Sequence, residues 1–497
     1  MKNWNQLSLI GIIVLLGILI ILFPWAIGYI IGLLLIIYGI SNLSRKHNIK
    51  IFIITLISFS CLFSYAYVSY STSSGLTASD INITPSDRIL VISPHPDDEA
   101  LSSAGVINKA VQMGVPVSTV ILTTGDGYKQ DVIIKSMTFH PKPSTFIEYG
   151  INRHSEDVRA MNKIGLNQSN ITFLGYPDGG MQYLFDTNWD ENNLYYGMNG
   201  ANHVPYQFAY HDNASYCGGS VDTDLESVIN SFKPTIIIYP GLGDDHPDHW
   251  ATHAFVEYST TKMDYKGKEL TYDIHNNYNW QFPLIYDPKK YISPPKEFSK
   301  LNANWVTYNL TSSQVAQKSA CINTFSSQKI LLWPLLESFI RQNEIYATYN
   351  DQNISKSNEE VNLFNGGMPT TTLQDYTWSH DLVTTGLEYD QNSTWITLET
   401  KNGIKRADSY KFHFRLFNNG NVERADITVQ NGKATPEIMA NNSVKITDPI
   451  TTEINQNELI VKIPQNLFNH STALMYNVDI VENGSVDRSD WVKLNIN

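Results

Sequence analysis

Short apolar runs alternate with amphipathic stretches between residue 88 and about residue 350. Runs rich in β-branched residues predict buried strands at 88–93, 117–123, 171–175 and 235–239. Helices are predicted at 100–113, 152–165, 223–232 and 311–325. Thr223 with Glu226, and Thr311 with Gln314, match the capping box that opens a helix. Strands separated by helices predict an α/β fold: a Rossmann-like, doubly wound parallel sheet with helices on both faces.

The pattern changes after about residue 370, where short segments alternate between apolar and polar positions. These segments are 395–399, 410–416, 425–429, 459–463, 475–480 and 491–496. Asn-Gly pairs at 419–420, 431–432 and 483–484 are typical of tight turns between strands. The sequence therefore predicts an all-β sandwich at about 375–497, after an α/β domain at 88–350.

Long apolar stretches precede the first predicted strand, at 7–23, 25–40 and 51–70. Pro24 separates the first two, so we expect three membrane spans within residues 1–70. A basic cluster at 45–50 lies between the second and third stretches, and the positive-inside tendency places it in the cytoplasm. The expectation is a multi-pass cell-membrane protein with a linker at 71–87 and its catalytic portion on the extracellular side. The alternative is an export signal with one true span.

Charge and cysteine content limit the classes of partner and of cofactor. The chain of 497 residues has a net charge of −13, and its first 70 residues carry no acidic residue and four basic ones, so the remainder carries −17. An acidic surface of this kind argues against a nucleic-acid partner. Cys217 and Cys321 lie far from any metal-type spacing. They are expected either to pair in an oxidising compartment or to remain two core thiols.

Two runs of imidazoles and carboxylates follow predicted strands directly. Residues 94–99 read PHPDDE and residues 244–249 read DDHPDH. The carboxyl ends of strands in an open α/β sheet are where ligands bind, so both runs are expected to meet at one edge. Either run alone is more often a turn or a helix cap, but two runs at strand ends of one sheet favour an enzyme site.

The residue types in these runs suit a divalent metal such as Zn²⁺, which binds imidazole nitrogen and carboxylate oxygen and leaves a position for water. His95, Asp98 and His249 are the predicted ligands. Asp97 is placed to take a proton from water, and His246 to stabilise an oxyanion or protonate a leaving amine. Asp248 is expected to orient an imidazole, as carboxylates around metal sites do. His253, four residues after His249, is an alternative ligand, but a packed helix residue is the favoured interpretation.

These runs resemble those of the PIG-L (LmbE-like) family of zinc-dependent de-N-acetylases. Further similarity lies in Arg153-x-x-Glu156-x-x-x-Ala160, in FLG at 173–175 with PDG at 177–179, and in the segment 318–328. The resemblance covers about residues 88–345. It implies a Zn²⁺ ion, or another divalent metal, held at His95, Asp98 and His249. It also implies a general base at Asp97, assistance from His246 and a substrate contact at Arg153.

The resemblance leads us to expect removal of the N-acetyl group from an N-acetylglucosamine-type sugar of a glycolipid or surface glycan. One alternative is hydrolysis of another amide with the same zinc site. Another is a surface glycan-binding protein whose hydrolase domain has degenerated. The segment 178–234 is long for the family and rich in Tyr, Asn and Gly, so it is expected either to stack on sugar rings or to pack as a surface excursion.

Overall fold

The computed structural model describes most of the chain after residue 78. The described residues are 79–275, 286–294, 303–350, 352–354, 361–365, 382–389, 393–401, 403–439, 449–464, 467–468, 470–482 and 485–496. Residues 75–497 form one compact unit. The predicted linker at 71–87 is described only from residue 79, where Ser79–Asp80 already belongs to a strand.

The α/β portion contains strands and helices in alternation. Its strands are β1 (Ser79–Asp80), β2 (Ile89–Ser93), β3 (Val117–Thr123), β4 (Ile171–Tyr176), β5 (Ile236–Pro240), β6 (Lys268–Tyr272), β7 (Ala303–Asn309) and β8 (Asn343–Tyr349). Its helices are α1 (Asp98–Met113), α2 (Lys129–Ser136), α3 (Pro143–Lys163), α4 (Met181–Asp186), α5 (Gly218–Phe232), α6 (Pro247–Lys262), α7 (Ser312–Ile322) and α8 (Lys329–Ser338). Each of the four predicted strands overlaps an observed one, which confirms the α/β core.

The eight strands form one sheet in the order β1-β7-β8-β6-β5-β2-β3-β4. Strands β2 to β6 pair in parallel, as do β1 and β7. Strand β8 runs antiparallel to both of its neighbours, so the prediction of an entirely parallel sheet is wrong at this place. The sequence of β8 begins with Asn343 and Glu344, and these polar residues hid a buried strand from the hydrophobic pattern.

Both faces of the sheet are covered by helices, as predicted. Alternate residues of β2 point to opposite sides: Ile89 packs in one hydrophobic cluster with Leu101 of α1, whereas Leu90 packs in another with Phe255 of α6. Burial on both faces explains why β2 is a continuous apolar run. The carboxyl ends of β2 and β5 are adjacent because these two strands pair.

One capping prediction is confirmed and the other is wrong. Thr311 and Gln314 form the reciprocal capping box of α7. Helix α5, however, begins at Gly218, so Thr223 lies inside it and donates its hydroxyl to the Gly219 carbonyl at 2.8 Å. Threonine satisfies its hydroxyl in this way within a helix as readily as it caps one, so the motif alone did not fix the start.

The C-terminal portion contains two sheets that enclose a third hydrophobic cluster, and their described strand pairs are antiparallel except for Gln352–Ile354 with Val492–Ile496, which is parallel. Its strands are β9 (Gln352–Ile354), β10 (Val361–Asn365), β11 (Leu382–Tyr389), β12 (Ser393–Thr400), β13 (Ser409–Asn418), β14 (Asn421–Gln430), β15 (Lys433–Met439), β16 (Thr451–Asn455), β17 (Glu458–Pro464), β18 (Ala473–Glu482), β19 (Ser485–Arg488) and β20 (Val492–Ile496). One sheet has the order β10-β11-β12-β17-β16 and the other β15-β14-β13-β18-β20-β9, with β19 on β18. Residues of both sheets, such as Leu398 and Phe412, meet in one cluster, as the sandwich prediction requires.

The Asn-Gly pairs at 419–420 and 431–432 form the turns β13–β14 and β14–β15. Asn419 and Gly420 have φ of 48° and 82°, and Asn431 and Gly432 have φ of 55° and 71°. Two consecutive residues with positive φ suit a two-residue hairpin, and Asn and Gly tolerate this conformation best. The third pair, at 483–484, lies outside the described residues.

The membrane expectation is corrected by the helices that the structure contains. In the described parts of the chain, no helix combines the length and the apolar character that a membrane crossing requires. The three predicted spans at 7–23, 25–40 and 51–70 lie outside the described residues. The structure therefore contains nothing that supports the predicted transmembrane region, multi-pass placement or extracellular orientation, and these predictions are withdrawn. They rested on the apolar length of three stretches, on Pro24 between two of them and on the basic cluster at 45–50.

Cys217 and Cys321 are both buried and both free, so the interpretation as two core thiols is confirmed and the disulfide is not formed.

Candidate metal-binding active site

The site lies at the carboxyl ends of β2 and β5, where the two predicted runs follow their strands. After β2, the chain turns at residues 94–97 and enters α1, whose first residue is Asp98. After β5, residues 241–246 lead into α6, which begins at Pro247. Proline at the first helical position favours this start, because its fixed φ suits a helix and its missing N–H is not needed there.

The three predicted ligands are brought together. Asp98 Oδ2 lies 3.2 Å from His95 Nδ1 and 3.1 Å from His249 Nε2. The ring centroids of His95 and His249 are 5.3 Å apart. All three side chains are buried, so their nitrogen and oxygen atoms have little access to water.

Asp178 and Asp248 complete the acidic surroundings of His95. Oδ1 of Asp178 and Oδ2 of Asp248 each lie 3.2 Å from His95 Nε2. The backbone N–H groups of Gly179 and Met181 donate to the Asp248 carboxylate at 2.6 and 3.1 Å. Asp248 thus contacts an imidazole in the way the sequence suggested, and it also joins α6 to the loop before α4.

His246 is held as a neutral imidazole whose free nitrogen carries the proton. The backbone N–H of Asp248 donates to His246 Nδ1 at 3.2 Å, so Nδ1 is an acceptor and Nε2 bears the hydrogen. Burial, together with the neighbouring His95 and His275, lowers the pKa of His246 well below its usual value. Its ring centroid lies 4.7 Å from that of His95, at the centre of the site.

The site fits a metal ion by its donor set and by its unmatched atoms. Three overlapping groups have ligand atoms within 4.8 Å of one another: His95/His246/His249, Asp98/His249/His275 and His95/Asp178/Asp248. His249 is fully buried, and its Nδ1 and Nε2 face carboxylate oxygens of Asp244 and Asp98 at 2.9 and 3.1 Å, but without the angles of a hydrogen bond. A buried nitrogen of this kind costs free energy unless another partner, such as a cation, binds it.

The electrostatics of the site favour a cation. Burial opposes the charge on His249, but Asp244 and Asp98 outweigh it and raise its pKa to about 9. Burial likewise opposes the charge on Asp178, but the hydrogen bond and the charge of His95 lower its pKa to about 2. The carboxylates thus outnumber the cations that the protein supplies, so a divalent ion would gain from the resulting field.

Asp97 occupies a strained position next to the ligands. Its φ is 129°, a conformation that is unfavourable for any residue with a side chain, and strain of this kind is found mostly at functional sites. Asp97 is 6% exposed, and burial raises its pKa to about 8 while Arg153 opposes the shift. A carboxyl group with such a pKa accepts and returns a proton near neutral pH.

Arg153, on α3, fixes the turn that carries Asp97. Its Nη2 donates to the Pro96 carbonyl at 2.7 Å and lies 3.5 Å from Asp97 Oδ2, and its Nη1 donates to the Gly125 carbonyl at 3.1 Å. With its amide oxygen turned towards Arg153, Gln328 accepts from Nη2 at 2.7 Å. Arg153 is 4% exposed, so its described contacts are with the protein; the predicted substrate contact stays a prediction.

His253 lies away from the ligand cluster. Its Nδ1 is 2.9 Å from the Pro240 carbonyl, and its ring packs 5.6 Å from Tyr239. These contacts agree with the favoured interpretation of His253 as a packed helix residue.

Several residues of the site were missed or left without a role by sequence reasoning. Asp244 lies 2.9 Å from His249 Nδ1, and the ring of His275 lies 4.7 Å from that of His249. Asp178 and Asp244 stood inside quoted motifs, so a signal existed for both. His275 follows β6 by three residues, and strand β6 itself had not been predicted.

The fold and the site together define a class: an α/β protein with a His/Asp metal-type site at the carboxyl edge of its sheet. Residues 90–259 match the family model described as PIG-L: GlcNAc-PI de-N-acetylase. The chain therefore contains a PIG-L domain, and the resemblance noted in the sequence is confirmed.

Curated relatives share this part of the chain. The chain is 24% identical over 204 residues to 1D-myo-inositol 2-acetamido-2-deoxy-alpha-D-glucopyranoside deacetylase of Kribbella flavida, covering 41% of this chain and 61% of that protein. It is 26% identical over 167 residues to the probable N-acetyl-alpha-D-glucosaminyl L-malate deacetylase 2 of Bacillus anthracis, covering 33% of this chain and 55% of that protein. The match thus spans roughly half to three fifths of the length of these relatives.

Among solved structures, the chain is similar to a deacetylase of the teicoplanin biosynthesis pathway, with 18% identity and a TM-score of 0.33 over 49% of this chain and 86% of that one. It is also similar to N,N'-diacetylchitobiose deacetylase from Pyrococcus horikoshii, with 18% identity and a TM-score of 0.30 over 50% of this chain and 75% of that one.

Proposed function

We propose that the protein is a metal-dependent N-deacetylase that hydrolyses the acetamide of an N-acetylglucosamine-type sugar to acetate and a free amine. One observation carries this proposal: His95, Asp98 and His249 converge at the strand ends, and a buried, strained Asp97 lies directly beside them. The PIG-L domain and the deacetylase names of its curated relatives support the same reaction class.

His95, Asp98 and His249 would hold the cation, with Zn²⁺ the ion that best suits two imidazoles and a carboxylate, and another divalent metal the alternative. When bound, such an ion polarises a carbonyl oxygen and makes a nearby water more acidic. Asp97 then accepts the proton of the attacking water and delivers it to the departing amine nitrogen. Its raised pKa suits both steps, because the group is neither a strong acid nor a strong base near neutral pH.

His246 is proposed to donate a hydrogen bond to the carbonyl oxygen as negative charge develops on it. The Asp248 backbone N–H binds Nδ1 and so keeps the proton on Nε2, the nitrogen that remains available to a substrate. A preorganised donor of this kind lowers the barrier because it gains most strength in the transition state.

Asp248 and Arg153 are proposed to act on the reacting groups mainly through their neighbours. Asp248 contacts His95 Nε2 at 3.2 Å and so sets the orientation of that imidazole. Arg153 holds the Pro96 carbonyl and the Asp97 carboxylate, and a substrate hydroxyl that reaches this guanidinium would add the predicted substrate contact.

The finer proposal concerns the sugar, which we place on a glycolipid or a surface glycan. Tyr183 and Tyr195 stack with ring centroids 5.3 Å apart, and a methyl group added at Gly180 would meet Tyr195 Cε1, so the pair borders the loop that carries Asp178. Tyr196 is 67% exposed next to this pair. Exposed aromatic rings at the edge of a polar site suit the apolar faces of sugar units beyond the one that reacts.

The test is an assay of amine and acetate release by the full-length protein. The protein is stripped with a chelator, reloaded with Zn²⁺ and given a panel of N-acetylglucosamine derivatives, of which one is glycosidically linked to a lipid-like aglycone and one is an N-acetylated amino acid. We expect release only from the sugars and only after reloading. Release from the amino acid alone would favour the other-amide alternative, and no release with metal bound would contradict the proposed reaction.

A further inference from the structure

Helix α4 and the loop before it connect the site to the β-sandwich. At the site end, the loop provides Asp178, and the N–H groups of Gly179 and Met181 bind the Asp248 carboxylate. Helix α4 has only six residues, so a shift of its far end is transmitted to these groups almost directly.

The far end of α4 is held by arginines of the sandwich. Arg424 of β14 donates from Nη2 to the Asp186 carbonyl at 3.0 Å, and Arg488 of β19 donates from Nη1 to Asp186 Oδ2 at 3.0 Å. Arg415 of β13 lies with its guanidinium carbon 5.6 Å from the Phe185 ring centroid. Carbonyl groups at a helix end lack partners within the helix, so Arg424 supplies a donor to a carbonyl of this kind.

Arg488 also contacts the second helix that carries site residues. Its guanidinium carbon lies 4.7 Å from the ring centroid of Trp250, which follows His249 directly on α6. The Trp250 indole N–H donates to the Ser489 carbonyl at 3.2 Å. Arg488 Nη2 donates to Asp479 Oδ2 at 3.1 Å, and this hydrogen bond anchors the arginine side chain to the sandwich.

We propose that Arg488 is a positioning residue of the metal site: by bridging Asp186 of α4 and Trp250 of α6, it sets the distance between the loop with Asp178 and the helix with Asp248 and His249. The sandwich is then part of the active-site scaffold. This proposal rests on the proposed function only in that the positioned groups are those of the proposed metal site. The guanidinium of Arg488 is planar and has two terminal nitrogens. It can therefore bind one carboxylate with each nitrogen and lie over the indole ring of Trp250.

The test compares Arg488→Met and Arg488→Lys with two controls. Arg406→Met removes an exposed arginine of the sandwich. Tyr476→Phe removes the hydroxyl that contacts the Thr385 hydroxyl at 2.8 Å, and so weakens the sandwich away from α4 and α6. Zn²⁺ affinity is measured by calorimetry, the melting temperature by scanning calorimetry and amide exchange of segment 177–186 by mass spectrometry.

We expect both Arg488 variants to bind Zn²⁺ about tenfold more weakly, the size of effect that residues supporting metal ligands have, and to exchange the amides of 177–186 faster. Tyr476→Phe should lower the melting temperature without either change, and Arg406→Met should change nothing. If the Arg488 variants lose only melting temperature, with Zn²⁺ affinity and exchange as in the parent protein, the proposal is overturned. If the parent protein binds no Zn²⁺, the proposed function fails, while amide exchange still decides the role of Arg488.

Discussion

Two buried clusters of charged side chains in this protein differ in their balance of carboxylates and cationic partners. The cluster at the strand ends combines imidazoles with an excess of carboxylates, namely Asp98, Asp178, Asp244 and Asp248. The cluster between the sandwich and α4 pairs Asp186, Asp426 and Asp479 with His413, Arg415 and Arg488. In the first cluster four carboxylates share the imidazoles of His95 and His249, whereas in the second three carboxylates face three cationic side chains.

Burial of charge alone therefore does not mark a functional site. A buried ion pair with matched partners is a structural element whose loss destabilises the fold. A buried set of ligands with unmatched atoms and excess negative charge is one that a cation completes. The two clusters are linked through α4, so the structural one supports the functional one.

The largest expected effect is at a ligand of the first cluster. His249→Gln should remove Zn²⁺ binding and all deacetylation, because His249 is fully buried and its Nε2 faces Asp98 at 3.1 Å. Metal content is measured by atomic spectroscopy on the purified variant. The matched control is His253→Gln, four residues later on the same helix, which should keep the ion; loss of Zn²⁺ from this control with retention in His249→Gln would reverse the assignment.

Asp97→Asn should separate chemistry from metal binding. We expect kcat to fall by about 10³-fold, within the range for removal of a general base, while Zn²⁺ content stays at the parent level. The asparagine keeps the shape of the side chain and its place beside Arg153 but accepts no proton. Steady-state amine release together with metal analysis makes the measurement, and full activity in this variant would remove Asp97 from the mechanism.

The second cluster predicts a pH dependence of stability. Burial opposes the charge of His413, but its hydrogen bond to Asp426 and the negative charges of Asp426 and Asp479 raise its pKa to about 9 in the folded protein. The folded state therefore binds a proton that the unfolded chain, with a pKa near about 6.5, releases earlier. The stabilisation is complete below about pH 6.5 and is lost as the pH rises through the folded pKa, on the order of 3 kcal/mol in total.

Urea unfolding at a series of pH values tests this dependence. The free energy of unfolding should decline between about pH 6.5 and pH 9 in the parent protein, and the decline should be much shallower in His413→Gln. An equal slope in both proteins would mean that another group titrates.

The smallest expected effect is on substrate affinity. Tyr196→Ala should raise KM about threefold for a glycoside with a second sugar unit and leave KM for the monosaccharide unchanged, since one stacking contact contributes about 0.5–1.5 kcal/mol. His140→Ala, at an exposed residue, is the control and should alter neither value. Equal effects on both substrates would place Tyr196 outside the second sugar position.

The sequence predicted the parts of the fold that depend on periodicity. Strands β2, β3, β4 and β5 are short runs in which apolar residues predominate, and the Asn-Gly turns of the sandwich have the positive φ that these residues tolerate. It did not predict β8, whose Asn343 and Glu344 are buried through partners in other elements: Glu344 accepts from the Gly105 N–H at 2.7 Å. Hydrogen-bond partners that lie far apart in the chain leave no pattern in the local sequence, so the burial of these polar residues could not be predicted.

The candidate site could be predicted where its residues are adjacent in the chain and not where folding alone unites them. His95, Asp97 and Asp98 lie in one turn, and His246 to His249 in one helix start. His275 and Arg488 join the region only through the sheet order and the sandwich interface. Neither stood next to a recognisable motif, so no spacing could have indicated them.

The decisive experiment measures acetate release by chelator-treated, full-length protein as Zn²⁺ is titrated in, with an N-acetylglucosamine glycoside as substrate. Activity should rise in proportion to bound Zn²⁺ and reach its maximum at one ion per chain. Activity that is already complete before Zn²⁺ is added, or that stays absent with the ion bound to His95, Asp98 and His249, would contradict the proposed function.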